Sequence, residues 1–171
     1  IAAMPQCAAD CLALRDAADR QTATVIIGMG AFGRITRVLP SRFGSCWTYG
    51  GAAAPGQSSV DGLSRQFRVR DVSAATEVYG VTGRPLDHSA SPAMHNAAFQ
   101  AMGRDAVYVP LEAVSVDDAR VVAEALGLCG LSVTAPLKHG WPLREAEYDD
   151  EASRRLGTIN TLKRTDDGWL G

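Results

Sequence analysis

Lysine is scarce in this 171-residue chain: Lys138 and Lys163 are the only two among 17 basic residues, so a lysine in polar, site-like surroundings stands out. A net charge of −2, with arginines scattered along the chain, supplies no basic face for nucleic acid. No apolar run approaches the ~20 residues that span a bilayer, so neither nucleic acid nor membrane is expected as a partner. The four cysteines, Cys7, Cys11, Cys46 and Cys129, contain no C-x-x-C pair and join no Cys/His group with zinc spacing. His88 and His95 lack a third ligand, so no metal is expected. Cys7 and Cys11, four apart on an expected helix, read as small core residues of a reduced, cytoplasmic protein. The first residues lack the basic and apolar regions of a signal peptide, and a start at Ile1 rather than Met reads as a segment of a longer polypeptide.

What the chain does contain is ordinary for a soluble globular protein, 46% hydrophobic and 21% charged residues. Up to residue 67 the pattern predicts a helix around Ala8 to Arg20, a strand from Thr24 to Met29 and a short helix from Phe32 to Leu39 that Pro40 ends. A strand from Ser45 to Tyr49 and a helix from Val60 to Phe67 follow. The charged and polar stretch 68–76 marks a boundary. Beyond it the alternation restarts, with strands at Glu77 to Thr82, Ala106 to Leu111 and Gly130 to Thr134, and helices at Pro92 to Met102 and Val116 to Leu126. A helix at Glu151 to Leu156, a strand at Thr158 to Lys163 and a turn over Thr165 to Gly168 complete the tail. Ser91 before Pro92 reads as an N-cap, and Ser115 with Asp118 as a capping box. Strands alternating with helices give an α/β fold.

Gly28-Met-Gly-Ala-Phe-Gly33 follows an apolar strand and matches G-x-G-x-x-G, the pattern that brings a pyrophosphate to a helix N-terminus. A dinucleotide site also needs an acidic residue about 20 positions onward, and none occurs between Asp19 and Asp61. A tight strand-to-helix turn is the expected role. In the second part Ser89, Ser91, Thr134, Lys138 and Asn160 stand at or just beyond strand ends, where open α/β sheets bind ligands. Hydroxyls and an amide both donate and accept, which suits a small ligand bearing several hydroxyl groups. A lysine beside them can pair with a carboxylate or shuttle a proton. The same residues also fit roles in structure alone, with Ser91 as a cap, Asn160 in a turn and Lys138 in solvent. In the first part, Arg37 can clamp a carboxylate or simply lie at the surface, and Gln57 sits in a Pro-Gly-Gln loop.

Residues from about Thr76 to Gly171 resemble the substrate-binding half of a shikimate dehydrogenase. The motifs are Gly83-Arg-Pro, His88-Ser-Ala-Ser-Pro92, His95-Asn96, Leu131-Ser-Val-Thr-Ala-Pro-Leu-Lys138 and Gly157-Thr-Ile-Asn-Thr161. The resemblance implies that Ser89 and Ser91 bind the shikimate carboxylate, that Thr134 and Asn160 contact ring hydroxyls and that Lys138 is catalytic. Residues 1 to about 70 are similar to the C-terminal part of a type I 3-dehydroquinate dehydratase, a (β/α)8 barrel. Here the motifs are Ile1-Ala-Ala-Met-Pro5, Met29-Gly-Ala-Phe-Gly-Arg-Ile-Thr-Arg37, Phe43-Gly-Ser45 and Ala54-Pro-Gly-Gln57. By that resemblance Arg37 binds the substrate carboxylate, Gln57 helps to hold the substrate, and the glycine-rich segment becomes a barrel turn. In this order the two families resemble the fused dehydratase and dehydrogenase enzymes of the shikimate pathway, whose second activity reduces 3-dehydroshikimate with NADPH.

Three departures from the family patterns bear on activity. The dehydratase Schiff-base lysine would precede Ile1. Ala53 stands where that loop usually has Ser, and Ser132 where many dehydrogenases have Asn. The chain stops before the Asn-Thr-Asp motif whose Asp partners the lysine, and before an NADP-binding domain. The expectation is therefore an α/β segment, residues 1–70 from the barrel and 76–171 from the substrate-binding domain, that takes small-molecule substrates and alone catalyses neither step. A quinate dehydrogenase and a non-catalytic ligand-binding protein are the alternatives.

Overall fold

The computed structural model describes residues 1–19, 21–51, 57–141 and 150–171. Arg20, at the end of the first expected helix, and loop residues 52–56, Ala53 among them, lie outside the described residues. In the first portion regular structure is short. β1 (Ala2–Ala3) pairs in parallel with β2 (Ile27–Gly28), with α1 (Asp10–Asp16) between them and α2 (Arg34–Val38) after. The strand expected over 24–29 is thus two residues long, and the one expected over 45–49 does not form. A side chain is the cause: Ser45 Oγ accepts the Ile26 N–H at 2.8 Å, taking the donor that a strand partner's carbonyl would have used. The helix expected over 60–67 is a π-helical turn, Gly62–Gln66, closed by the Phe67 N–H on Gly62 O at 3.0 Å.

The second portion keeps its expected alternation, although the strand expected from Gly130 begins at Leu128, the one expected from Thr158 begins at Thr161, and Gly168–Leu170 adds a strand beyond the expected turn. β3 (Glu77–Gly83), β4 (Ala106–Glu112), β5 (Leu128–Val133), β6 (Thr161–Thr165) and β7 (Gly168–Leu170) form a sheet of order β4-β3-β5-β6-β7. β3 runs parallel to β4 and β5, while β6 and β7 add an antiparallel hairpin. Parallel neighbours require crossovers, which α3 (Ser91–Ala101) and α4 (Val116–Ala125) supply; α5 (Glu151–Leu156) leads into β6.

Strand side chains alternate between two faces. One face sends Val107, Val109 and Leu111 into the main core, together with Val122 of α4 and with Cys11, Ile35 and Phe43 of the first portion. The two portions therefore share one buried cluster, in which α2 lies against β4. The other face is smaller: Val81, Leu86 and Tyr108 are buried, with Tyr79 and Phe99 packed on them.

β4 is a sheet edge, and side chains meet several of its outward backbone groups. Arg68 donates to Ala106 O at 2.8 Å. The Asn96 amide donates to Tyr108 O and accepts the Tyr108 N–H, each at 2.8 Å, and Pro110 has no N–H to satisfy. A side-chain amide thus stands in for a neighbouring strand.

At the start of α4, Ser115 accepts the Asp118 N–H at 3.1 Å, in keeping with half of the expected capping box. The Asp118 carboxylate turns elsewhere. It accepts the N–H groups of Ala8, Ala9 and Val114 at 3.1, 2.8 and 2.9 Å, tying the approach to α1 onto α4.

Candidate functional site

Four backbone hydrogen bonds gather the loops at the C-terminal ends of β3 and β5. The Thr134 N–H reaches Thr82 O at 2.8 Å and the Arg84 N–H reaches Ala135 O at 3.0 Å. The Val133 N–H reaches Asn160 O at 2.8 Å and the Ile159 N–H reaches Lys138 O at 3.1 Å. Thr134, Lys138 and Asn160 are thereby brought to one sheet edge. Gly83 permits the approach: its φ is +147°, and a Cβ there would lie 2.4 Å from Thr134 Cγ2 and 2.7 Å from Ala135 O. The Arg84-Pro85 and Ala135-Pro136 peptide bonds are both cis. Lys138 is exposed on a 3-10 turn, Leu137–His139, that buried Leu137 anchors. Among the described residues no carboxylate forms an ion pair with it.

Ser89 and Ser91 lie in the turn from β3 into α3. The Leu86 N–H donates to the buried Glu112 carboxylate at 3.1 Å and the Ser89 N–H to Leu86 O at 3.1 Å, which fixes that turn. Ser91 is not the N-cap that its place before Pro92 suggests. Ala90 is already helical, with φ −78° and ψ −11°, and Ser91 is the first helical residue. Ser89 Oγ accepts the Ser91 N–H at 3.4 Å instead, a local turn that serine hydroxyls favour. Ser89 also lines a cavity of about 350 Å³ whose wall includes Gln57, Arg34 and Asp87 but not Thr134, Lys138 or Asn160. Arg34 and Asp87 form an ion pair there across the two portions. Ser89 and Gln57, expected from separate motifs, thus share one wall, while Lys138 stands outside it.

Arg37 is 2% exposed, so the surface role that pattern alone allowed does not hold. Its Nε donates to Gly28 O at 3.3 Å, and Nη1 has no hydrogen-bond partner among the described residues. Burial pulls the guanidinium below the usual arginine value. A buried cation with an unpaired N–H invites an anion. The glycine turn before it is filled by its own packing: a Cβ on Gly28 would lie 2.5 Å from Gly33 Cα. The Gly28 N–H donates to Thr36 Oγ1 at 2.9 Å, and that hydroxyl donates to Gly33 O at 2.8 Å. With the N–H committed and the glycines in contact, the turn does not fit a pyrophosphate.

Sequence reasoning passed over Tyr108. Its hydroxyl donates to Ser132 Oγ at 2.7 Å, and its ring stacks on His95 with centroids 4.2 Å apart. These residues, with Phe99 and Thr161, line a second cavity of about 230 Å³. Strand alternation was the available signal, since it sets Tyr108 on the face opposite Val107 and Val109. Among the described residues no group of three His, Cys, Asp or Glu is placed to hold a metal ion, and no helix is long and apolar enough to cross a membrane.

Residues 1–74 match the family model described as type I 3-dehydroquinase, and residues 81–162 that of the shikimate dehydrogenase substrate binding domain. A chloroplastic bifunctional 3-dehydroquinate dehydratase/shikimate dehydrogenase of Arabidopsis thaliana is 33% identical over 156 residues, 88% of this chain and 26% of that protein. A shikimate dehydrogenase (NADP(+)) of Anaeromyxobacter sp. (strain Fw109-5) is 43% identical over 102 residues, 58% of this chain and 36% of that one. The structure of shikimate 5-dehydrogenase from Listeria monocytogenes, solved with shikimate and NAD, is similar with a TM-score of 0.51 at 31% identity, covering 58% of this chain and 35% of its own. The chain spans between 26% and 36% of the length of these three proteins. It joins a segment that matches the type I 3-dehydroquinase family to one that matches the shikimate dehydrogenase substrate-binding domain, in that order.

Proposed function

We propose that residues 76–171 are the substrate-holding part of an NADP-dependent shikimate dehydrogenase, carried behind a type I 3-dehydroquinate dehydratase segment in residues 1–70. The observation that supports this most is the set of four backbone hydrogen bonds that brings Thr134, Lys138 and Asn160 to the end of β3, from which Ser89 and Ser91 follow. In this reading Ser89 and Ser91 take the carboxylate of shikimate or 3-dehydroshikimate, and Thr134 and Asn160 take ring hydroxyls. Lys138 holds the proton at the oxygen that changes between ketone and alcohol. Hydride chemistry is left to NADP held outside this chain, because the Gly28 to Gly33 turn does not fit it. In this reading the chain alone binds ligand without turnover. Arg37, with its unpaired Nη1, is the carboxylate clamp for 3-dehydroquinate, helped by Gln57. Four cysteines without a disulfide suit a reducing cytoplasm.

Shikimate titration followed through backbone amide resonances tests the reading. Shifts centred on Ser89, Thr134, Lys138 and Asn160, weakened in Lys138→Ala and Thr134→Val, are the expected result. No shifts, or shifts confined to another face, overturn it. Quinate binding tighter than shikimate moves the assignment to a quinate dehydrogenase.

A further inference from the structure

We propose that Tyr108 is a positioning residue that makes the Ser132 hydroxyl a hydrogen-bond donor to the bound ring; this rests on the shikimate site proposed above. Ser132 lies on β5 two residues before Thr134, so strand alternation turns both to the same face. Its antiparallel partner on β6 is Thr161, next to Asn160. Ser132 therefore stands one step inside the edge at which Thr134, Lys138 and Asn160 gather.

A serine hydroxyl carries one proton and two lone pairs, and it rotates freely unless a neighbour fixes it. Tyr108 Oη donates to Ser132 Oγ at 2.7 Å. That bond occupies one lone pair, so the serine's own proton points away from the phenol, toward an acceptor on the ligand. A hydrogen bond received also strengthens the one given.

The arrangement works only if the phenol stays protonated and still. Burial pushes the Tyr108 phenol upward, so it remains a donor through the neutral range. The Asn96 amide holds the N–H and the carbonyl of Tyr108 at 2.8 Å each, and His95 stacks on the ring. His95 and Asn96 are consecutive on α3, the helix that begins at Ser91. One helix thus carries a ligand group at its start and orients another, on β5, through Tyr108. The ligand favoured presents an oxygen acceptor, ring hydroxyl or carbonyl, at Ser132; a ring lacking that oxygen leaves a donor unpaired.

Shikimate titration of the 171-residue chain and its variants tests the proposal. Tyr108→Phe removes the phenolic oxygen alone, and Ser132→Ala the hydroxyl. Each is expected to weaken shikimate binding about 3- to 10-fold, the worth of one hydrogen bond. The double variant is expected to lose no more than either single one, because both delete the same linkage. Ser132→Thr, which keeps the hydroxyl, is expected to retain affinity within about twofold. Unchanged affinity in Tyr108→Phe, or losses that multiply in the double variant, overturns the proposal and leaves the site standing. A loss of affinity matched by loss of folded protein, read from urea unfolding of the same samples, also overturns it. An unaltered chain that binds no shikimate overturns the functional reading, and the role of Tyr108 with it.

Discussion

The Asp118 carboxylate accepts the Ala9 N–H at 2.8 Å across 109 positions of sequence, and the same group accepts the N–H groups of Ala8 and Val114. Its removal strands three donors at the junction of the two portions. Asp118→Ala is expected to cost about 3 kcal/mol in urea unfolding, because unsatisfied buried donors carry a full desolvation penalty. Exposed Asp117, in the same first turn of α4, is the control: Asp117→Ala is expected to cost about 0.5 kcal/mol, the worth of a carboxylate near a helix N-terminus. Equal effects would show that the junction does not depend on Asp118.

Gly83 and Gly103 separate backbone strain from steric conflict. Both have positive φ, but a Cβ at Gly103 meets nothing within 4 Å, whereas one at Gly83 strikes Thr134 and Ala135. Gly103→Ala is expected to cost about 1 kcal/mol from conformation alone. Gly83→Ala is expected to cost about 3 kcal/mol, strain and displacement together, and to weaken shikimate binding by moving Thr134. Thermal unfolding of both variants with ligand titration of the second decides; equal costs would remove the close approach from the account.

Arg37 is a buried cation with an unpaired N–H. Replacing such a group with an apolar side chain of similar length commonly stabilises a fold, so Arg37→Met is expected to gain about 1 kcal/mol. The same change is expected to abolish binding of 3-dehydroquinate, measured by calorimetry. A loss of stability would mean that the fold itself satisfies the guanidinium.

Cys11 supplies a pH test. Burial, with the Asp10 and Asp118 carboxylates adding to it, raises its thiol from 9.0 to about 12. The unfolded chain gives up that proton near pH 9 while the folded chain holds it, so stability is intact below pH 9 and falls as pH rises toward 12. Buried tyrosine Tyr108 titrates upward in the same sense, so the comparison is with Cys11→Ala. Its stability is expected to decline less steeply between pH 9 and 11 in urea titrations, and parallel slopes would remove Cys11 as the source.

The sheet of the second portion is readable in sequence because alternation, turn residues and crossover length agree there; β3 and α4 depart from expectation by about a residue, while β5 begins two residues early and β6 three residues late. In the first portion local pattern loses to tertiary detail. Ser45, a residue that reads as the start of a strand, uses its hydroxyl to stop one, and β2 keeps two residues of an apolar run. The site divides the same way. Thr134, Lys138 and Asn160 are legible because strand ends are predictable, whereas the shared wall of Ser89 and Gln57 depends on how two distant loops pack. Tyr108 in an apolar strand reads as core, and its hydroxyl matters only once β5 brings Ser132 alongside.

The side-chain cover on the edge of β4 bears on how the chain can be divided. Arg68, which covers the Ala106 carbonyl, belongs to the segment between the two portions, and α2 covers part of the sheet face behind it. Cutting the chain there to obtain the second portion alone would release an open strand edge beside a bared apolar surface. Such a fragment is a template for strand addition by its own copies, so its failure to stay dispersed would reflect the cut and not a weakness of the sheet.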